Sequence, residues 1–120
     1  ECEYRLMLDN KYKISESIID EKKMILEGII DSVSEEEKKR IYQLFNEGFS
    51  KLDNEMIRTI EVFFRCGLNL SDAAKELYIH RNTLIYRLDK IEKYTGYDIR
   101  NFNNAVLFKV VFFIWKEKNK

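Results

Sequence analysis

The chain has 120 residues, of which 45% are hydrophobic, including eight Phe, seven Tyr and one Trp; that is one domain's worth of material with enough apolar mass for a core, which excludes a disordered tail. Charged residues make up 35%, proline is absent and glycine occurs four times, a composition that points to an all-α protein and away from a loop-rich or all-β one. Two cysteines, Cys2 and Cys66, and one histidine, His80, exclude a disulfide framework and a histidine-based metal cluster, so the thiols read as free in a reducing cytoplasm.

No run of 18 apolar residues is present, which argues against a membrane span, and no signal-peptide pattern opens the chain. The first residue is Glu1 rather than methionine, so the chain is expected to be part of a longer protein with domains upstream. The balance of 21 Lys+Arg against 21 Asp+Glu conceals a polarity. Residues 1–55 carry 9 basic and 14 acidic side chains, and residues 56–120 carry 12 and 7. Any nucleic-acid contact is therefore expected in the second half.

In chain order, Tyr4, Leu6, Met7 and Leu8 form a short apolar patch without a clear period. From Ser15, the recurrence of Ile18, Ile19, Met24, Ile25, Ile29 and Ile30 predicts an amphipathic helix over 15–31. Ser34 followed by Glu37 resembles a capping box, opening a helix with Ile41, Leu44, Phe45 and Phe49 on one face. Asp53 can cap the next helix, whose stripe is Met56, Ile57, Ile60, Phe63 and Phe64, with Gly67 placed to end it. Ser71 is the expected N-cap of a shorter helix with Ala73, Ala74 and Leu77 inward. The connection Tyr78-Ile79-His80 is tight and lacks both proline and glycine. A helix over about 81–94 follows, with Leu84, Leu88 and Ile91 at i, i+4, i+7 and Gly96 at its end. Asn101, Asn103 or Asn104 can cap a last helix running to about Glu117.

Two short helices across a tight connection, the second longer and basic, make the plan of a helix-turn-helix. The small side chains of Ala73 and Ala74 permit a close crossing, and Ile79 is placed to fill its corner.

Residues 69–96 read NLSDAAKELYIHRNTLIYRLDKIEKYTG. This run, above all His80 to Leu88, resembles the C-terminal DNA-binding domain of PucR/CdaR-type transcription regulators. The resemblance reaches back through the Met56–Phe64 helix and forward into the last helix. YRLML at 4–8 is similar to the segment that these proteins carry before that domain. Ile85 stands where relatives often have a polar residue, and Tyr97 where Leu is common. The resemblance implies a Fis-like fold, double-stranded DNA as partner, an effector bound by upstream domains, and a multidomain regulator working in the cytoplasm. On this reading residues 1–50 are an N-terminal helical segment leading from an upstream domain, and residues 51–120 are the helix-turn-helix domain.

Roles on the 81–94 helix follow from its wheel at ~100° per residue. Leu84, Leu88 and Ile91 define the buried direction, and Asn82 and Tyr86 point nearly opposite. Recognition helices read bases with their N-terminal residues. Arg81, Asn82, Thr83, Ile85 and Tyr86 are thus the base-reading candidates: Arg suits guanine, Asn suits adenine, and Thr or Ile suits a thymine methyl. Lys90 and Lys93 are placed for phosphates. His80 can cap the helix or touch a base, and the cap is favoured. Arg87 borders the buried face, so a salt bridge to Asp72 or Glu76, a phosphate contact and base reading all stay open. Asp89 opposes phosphate and reads as a solvated residue.

The segment 105–115 is apolar almost all round. It is expected to be a central core helix, alone or with a dimer contact, and the 15–31 stripe is a second candidate for pairing in a homodimer. No Ser/His/Asp or Cys/His arrangement and no phosphate-cradling glycine loop occurs, so no catalytic residue, metal or cofactor is expected. Two rival functions are a helix-turn-helix used only for protein–protein assembly, and a weakly specific, Fis-like architectural DNA binder.

Overall fold

The computed structural model of the protein describes residues 21–119. The Tyr4–Leu8 patch, Cys2, Ser15, Ile18 and Ile19 lie outside the described residues. The chain divides into two compact units, Glu1–Glu35 and Glu36–Lys120. In the first, residues 21–31 form helix α1. Of its predicted stripe, Ile30 is buried, whereas Met24, Ile25 and Ile29 are exposed.

The second unit holds α2 (Glu35–Phe49), α3 (Asn54–Arg65), α4 (Leu70–Glu76), α5 (Arg81–Thr95) and α6 (Phe102–Lys118). The described residues are thus all-α, as the composition implied. The α2 helix contributes to the core of this second unit. Phe49 is fully buried, its ring centroid 5.2 Å from that of Phe108 and 5.7 Å, edge-on, from that of Trp115. Burying a side chain of this size contributes roughly 1.5–3 kcal/mol. Ile41 and Phe45 pack against the same core, but Leu44, expected on that face, is exposed. Trp115 Nε1 donates to Asn46 Oδ1 at 3.0 Å, so the indole N–H is satisfied as it is buried.

The α2 helix also passes close to the end of α5. A Cβ built on Gly48 would lie 2.4 Å from the Tyr94 carbonyl oxygen. Only a residue without a side chain permits that approach.

Helices α3, α4 and α5 pack on one another. Asp53 caps α3, its Oδ1 accepting from the Met56 N–H at 2.8 Å. Met56, Ile60 and Phe63 are buried, with Ile57 and Phe64 packed at the edge of the core. The α3 terminus is a two-bond left-handed cap: Gly67 N–H donates to Phe64 O and Leu68 N–H to Phe63 O, both at 3.0 Å. Gly67 and Leu68 both have φ 66°.

The cap of α4 differs from expectation. Asn69, not Ser71, is the N-cap: its Oδ1 accepts from the Asp72 N–H at 2.9 Å, and Ser71 lies inside the first turn. Ala73 and Ala74 are both buried where α4 meets its neighbours. At the other end of α6, Asn101 is the cap among the three asparagines considered. The α6 helix buries Ala105, Phe108, Val111, Phe112, Ile114 and Trp115, and leaves Phe102, Val106 and Leu107 exposed. It is a core helix with one apolar side toward solvent.

Candidate nucleic-acid interface

The α4–α5 corner is built by a second left-handed cap. Tyr78 N–H donates to Lys75 O at 3.1 Å and Ile79 N–H to Ala74 O at 3.0 Å, which ends α4 and turns the chain toward α5. Ile79 packs against the core from this corner. Tyr78 carries the turn at φ 57°, a conformation that favours glycine.

His80 then opens α5 as its N-cap, with Nδ1 accepting from the Asn82 N–H at 3.1 Å. Leu84, Leu88 and Ile91 are each 0% exposed, which fixes the rotation of the helix about its axis. Arg81, Asn82, Thr83 and Tyr86 consequently face solvent, Ile85 is half-buried, Lys90 is half-buried and Lys93 is exposed. The first turn of α5 therefore presents an arginine, an asparagine and a threonine together, next to the exposed Tyr86.

Further along the same face, Lys90 Nζ lies 5.8 Å from the Tyr86 ring centroid and 5.9 Å from that of Tyr94. The three side chains form a ladder at i, i+4 and i+8, with the ammonium between two aromatic rings. The nearby Tyr86, then Tyr94, hold the Lys90 pKa above the ordinary lysine value. Lys90 is thus a fully charged cation with a restrained position.

Arg87 departs from the expected set. Its partners are neither Asp72 nor Glu76, but Glu55 and Thr59 on α3: Nη2 pairs with the Glu55 carboxylate and Nη1 donates to Thr59 Oγ1 at 3.2 Å. The side chain is only 17% exposed. This guanidinium is spent on holding α5 to α3. Glu76 instead accepts from Arg65 and from the Cys66 thiol, whose Sγ lies 3.1 Å from Oε2. The hydrogen bond to Glu76, followed by burial, raises the Cys66 pKa.

Asp89 is not simply solvated. Arg100 Nη2 donates to its Oδ1 at 2.8 Å, and Arg100 Nε donates to Asp98 Oδ1 at 2.7 Å. Burial pushes the Asp98 carboxyl up, but the Arg100 hydrogen bonds outweigh it and hold the pKa below the usual aspartate value. One arginine thereby offsets the carboxylates nearest the basic face of α5. Sequence reasoning missed this device, since Asp89 and Arg100 sit on different segments and no short motif links them.

A helix-turn-helix with this capped and basic second helix has counterparts among known proteins. Residues 56–112 match the family described as the PucR C-terminal helix-turn-helix domain. This segment is similar to that family's domain. The match covers most of α3, all of α4 and α5 and most of α6. The chain is 39% identical over 61 residues to the carbohydrate diacid regulator of Escherichia coli (strain K12), a match covering 51% of this chain and 16% of that protein. It is also 39% identical over 49 residues to the purine catabolism regulatory protein of Bacillus subtilis (strain 168), covering 41% of this chain and 9% of that one. The chain therefore spans less than a fifth of the length of either relative. The fold recurs in the crystal structure of a regulator of polyketide synthase expression from Bifidobacterium adolescentis, with a TM-score of 0.61 at 24% identity over 69% of this chain and 35% of that one. Among the described residues no helix is long and apolar enough to cross a membrane.

Proposed function

We propose that the chain is the sequence-specific DNA-binding part of a bacterial PucR/CdaR-like transcription regulator, with α5 in the major groove. The observation that carries this reading is the rotation of α5: three fully buried apolar residues on one side direct Arg81, Asn82, Thr83 and Tyr86 together into solvent at its N-terminal half. Arg81 and Asn82 supply hydrogen bonds suited to guanine and adenine edges, and Thr83 and Ile85 suit a thymine methyl. Lys90 and Lys93 neutralise phosphates. Arg87 is omitted from this set because Glu55 and Thr59 occupy it.

The working unit is a homodimer in the full-length protein. One recognition helix offers few base contacts, whereas two-fold pairing places two such helices about 34–36 Å apart, one turn of DNA. The exposed Phe102, Val106 and Leu107 of α6 support that helix as a pairing surface. Upstream domains bind the effector, and regulation takes place in the cytoplasm, without a catalytic step or cofactor in this chain.

The test is selection of the preferred site from a random duplex pool, followed by binding of Asn82→Ala and Tyr86→Ala. Each variant is expected to lose about 1–3 kcal/mol on the selected site, with helical circular dichroism unchanged. Wild-type binding by both variants would show that the reading face is wrong. Equal affinity of the wild type for selected and scrambled duplexes would favour the architectural reading, and no duplex binding would favour protein–protein assembly.

A further inference from the structure

The turn residue Tyr78 combines a backbone conformation that disfavours a side chain with an exposed aromatic ring. Its φ of 57° lies in the left-handed region, which disfavours a side chain and which glycine adopts freely. Its side chain is 93% exposed and takes part in no hydrogen bond or ring contact among the described residues. A glycine here would complete the same α4 cap without strain, and a polar residue would cover the same surface without exposing an aromatic ring. An unfavourable backbone that carries an idle aromatic side chain points to a role outside the folded chain itself.

The position limits what that role can be. Tyr78 precedes the α5 cap by two residues, so its Cα lies within about 7 Å of that of His80. The major groove is about 12 Å wide and a helix with side chains is about 10–12 Å across. A helix that enters the groove end-first therefore brings the residues flanking its N-terminus up to a phosphate wall. A phenol at that place carries a hydroxyl donor at the end of a rigid two-torsion arm.

We infer that Tyr78 is a DNA-contacting residue, its phenol hydroxyl donating to a backbone phosphate at the groove edge beside the N-terminus of α5. This rests on the DNA-binding reading given above. The contact is sequence-independent, and it fixes the depth and angle at which Arg81 and Asn82 meet the bases. Being uncharged, it releases no counterion.

The experiment measures binding of the whole chain to a mixed-sequence 30-base-pair duplex across a salt series, by fluorescence anisotropy, with thermal melting of each protein. Tyr78→Gly and Tyr78→Phe are both expected to bind about tenfold more weakly, with the slope against log salt unchanged. Tyr78→Gly is expected to melt at or above the wild-type temperature, since the strain is gone. Lys93→Gln is the control for the parent reading: it lowers the magnitude of the salt slope by about 1. Wild-type affinity of Tyr78→Gly, with the Lys93→Gln effect intact, overturns the Tyr78 assignment alone. Wild-type affinity of Tyr78→Phe beside a weak Tyr78→Gly overturns the hydroxyl-to-phosphate contact. If the wild type itself shows no salt-dependent binding, the DNA-binding reading fails, and the Tyr78 assignment with it.

Discussion

Arg87 sits in the middle of a basic helix, yet its guanidinium is bound to α3. The pair with Glu55 is mixed, with one side chain 17% and the other 63% exposed, so solvent screens part of the attraction. The added bond to Thr59 makes the site a three-group tie across α3 and α5. Arg87→Met keeps much of the aliphatic stem and deletes the charge. It is expected to lower stability by about 1 kcal/mol in chemical denaturation while leaving the salt dependence of duplex binding unchanged. A smaller salt slope would instead place Arg87 on a phosphate. The other arginine tie has a pH signature. Asp98 has a depressed pKa in the fold, so its stabilising effect is present above the unfolded pKa and is lost as pH falls through the folded one. Stability measured by urea unfolding is expected to drop from about pH 5 to pH 3, and Asp98→Asn is expected to flatten part of that drop.

At the scale of elements, the contact between α2 and α5 depends on one missing methyl. Gly48→Ala should gain helix propensity of about 1 kcal/mol, but the new Cβ meets the Tyr94 carbonyl, and backbone cannot swing aside as a side chain would. A net loss of about 1–3 kcal/mol is expected in thermal melting, and a gain would mean that the helices do not cross there. The elements themselves were largely legible from residue patterns. The spacing of Leu84, Leu88 and Ile91 located the buried side of α5, and Asp53 and Gly96 marked helix ends by local chemistry alone. What escaped was non-local or degenerate. Asn69 and Ser71 are both good caps two residues apart, and only the backbone bond to Asp72 separates them. Arg87 and Glu55 lie 32 residues apart, a distance no helical period reports. A left-handed turn without glycine gave no local sign, so Tyr78 passed as a plain connector.

For the whole molecule, the position of Phe49 decides where the domain begins. Phe108, Phe112 and Trp115 all pack around that ring, and a chain starting at residue 51 would leave them facing water. Removal of Phe/Trp contacts of this kind costs about 3–5 kcal/mol in comparable cores, a large part of the net stability of a small domain. Residues 51–120 alone are expected to lose near-ultraviolet circular dichroism and cooperative melting, and residues 36–120 to keep both. Cooperative folding of the shorter piece would restore the boundary at residue 50. The family match over 56–112 is thus narrower than the folding unit, because homology follows the helix-turn-helix while the core also draws on α2.

The indole of Trp115 is the chain's single tryptophan. It stacks on Phe112, meets Phe49 edge-on and is hydrogen-bonded to Asn46. Two of these three neighbours belong to α2, and none belongs to α5. Its emission is therefore a built-in optical gauge of α2 docking. A red shift on adding duplex would reveal that engagement at α5 loosens the packing of α2 on α6, whereas constant emission during saturable binding would identify the domain as a rigid reader.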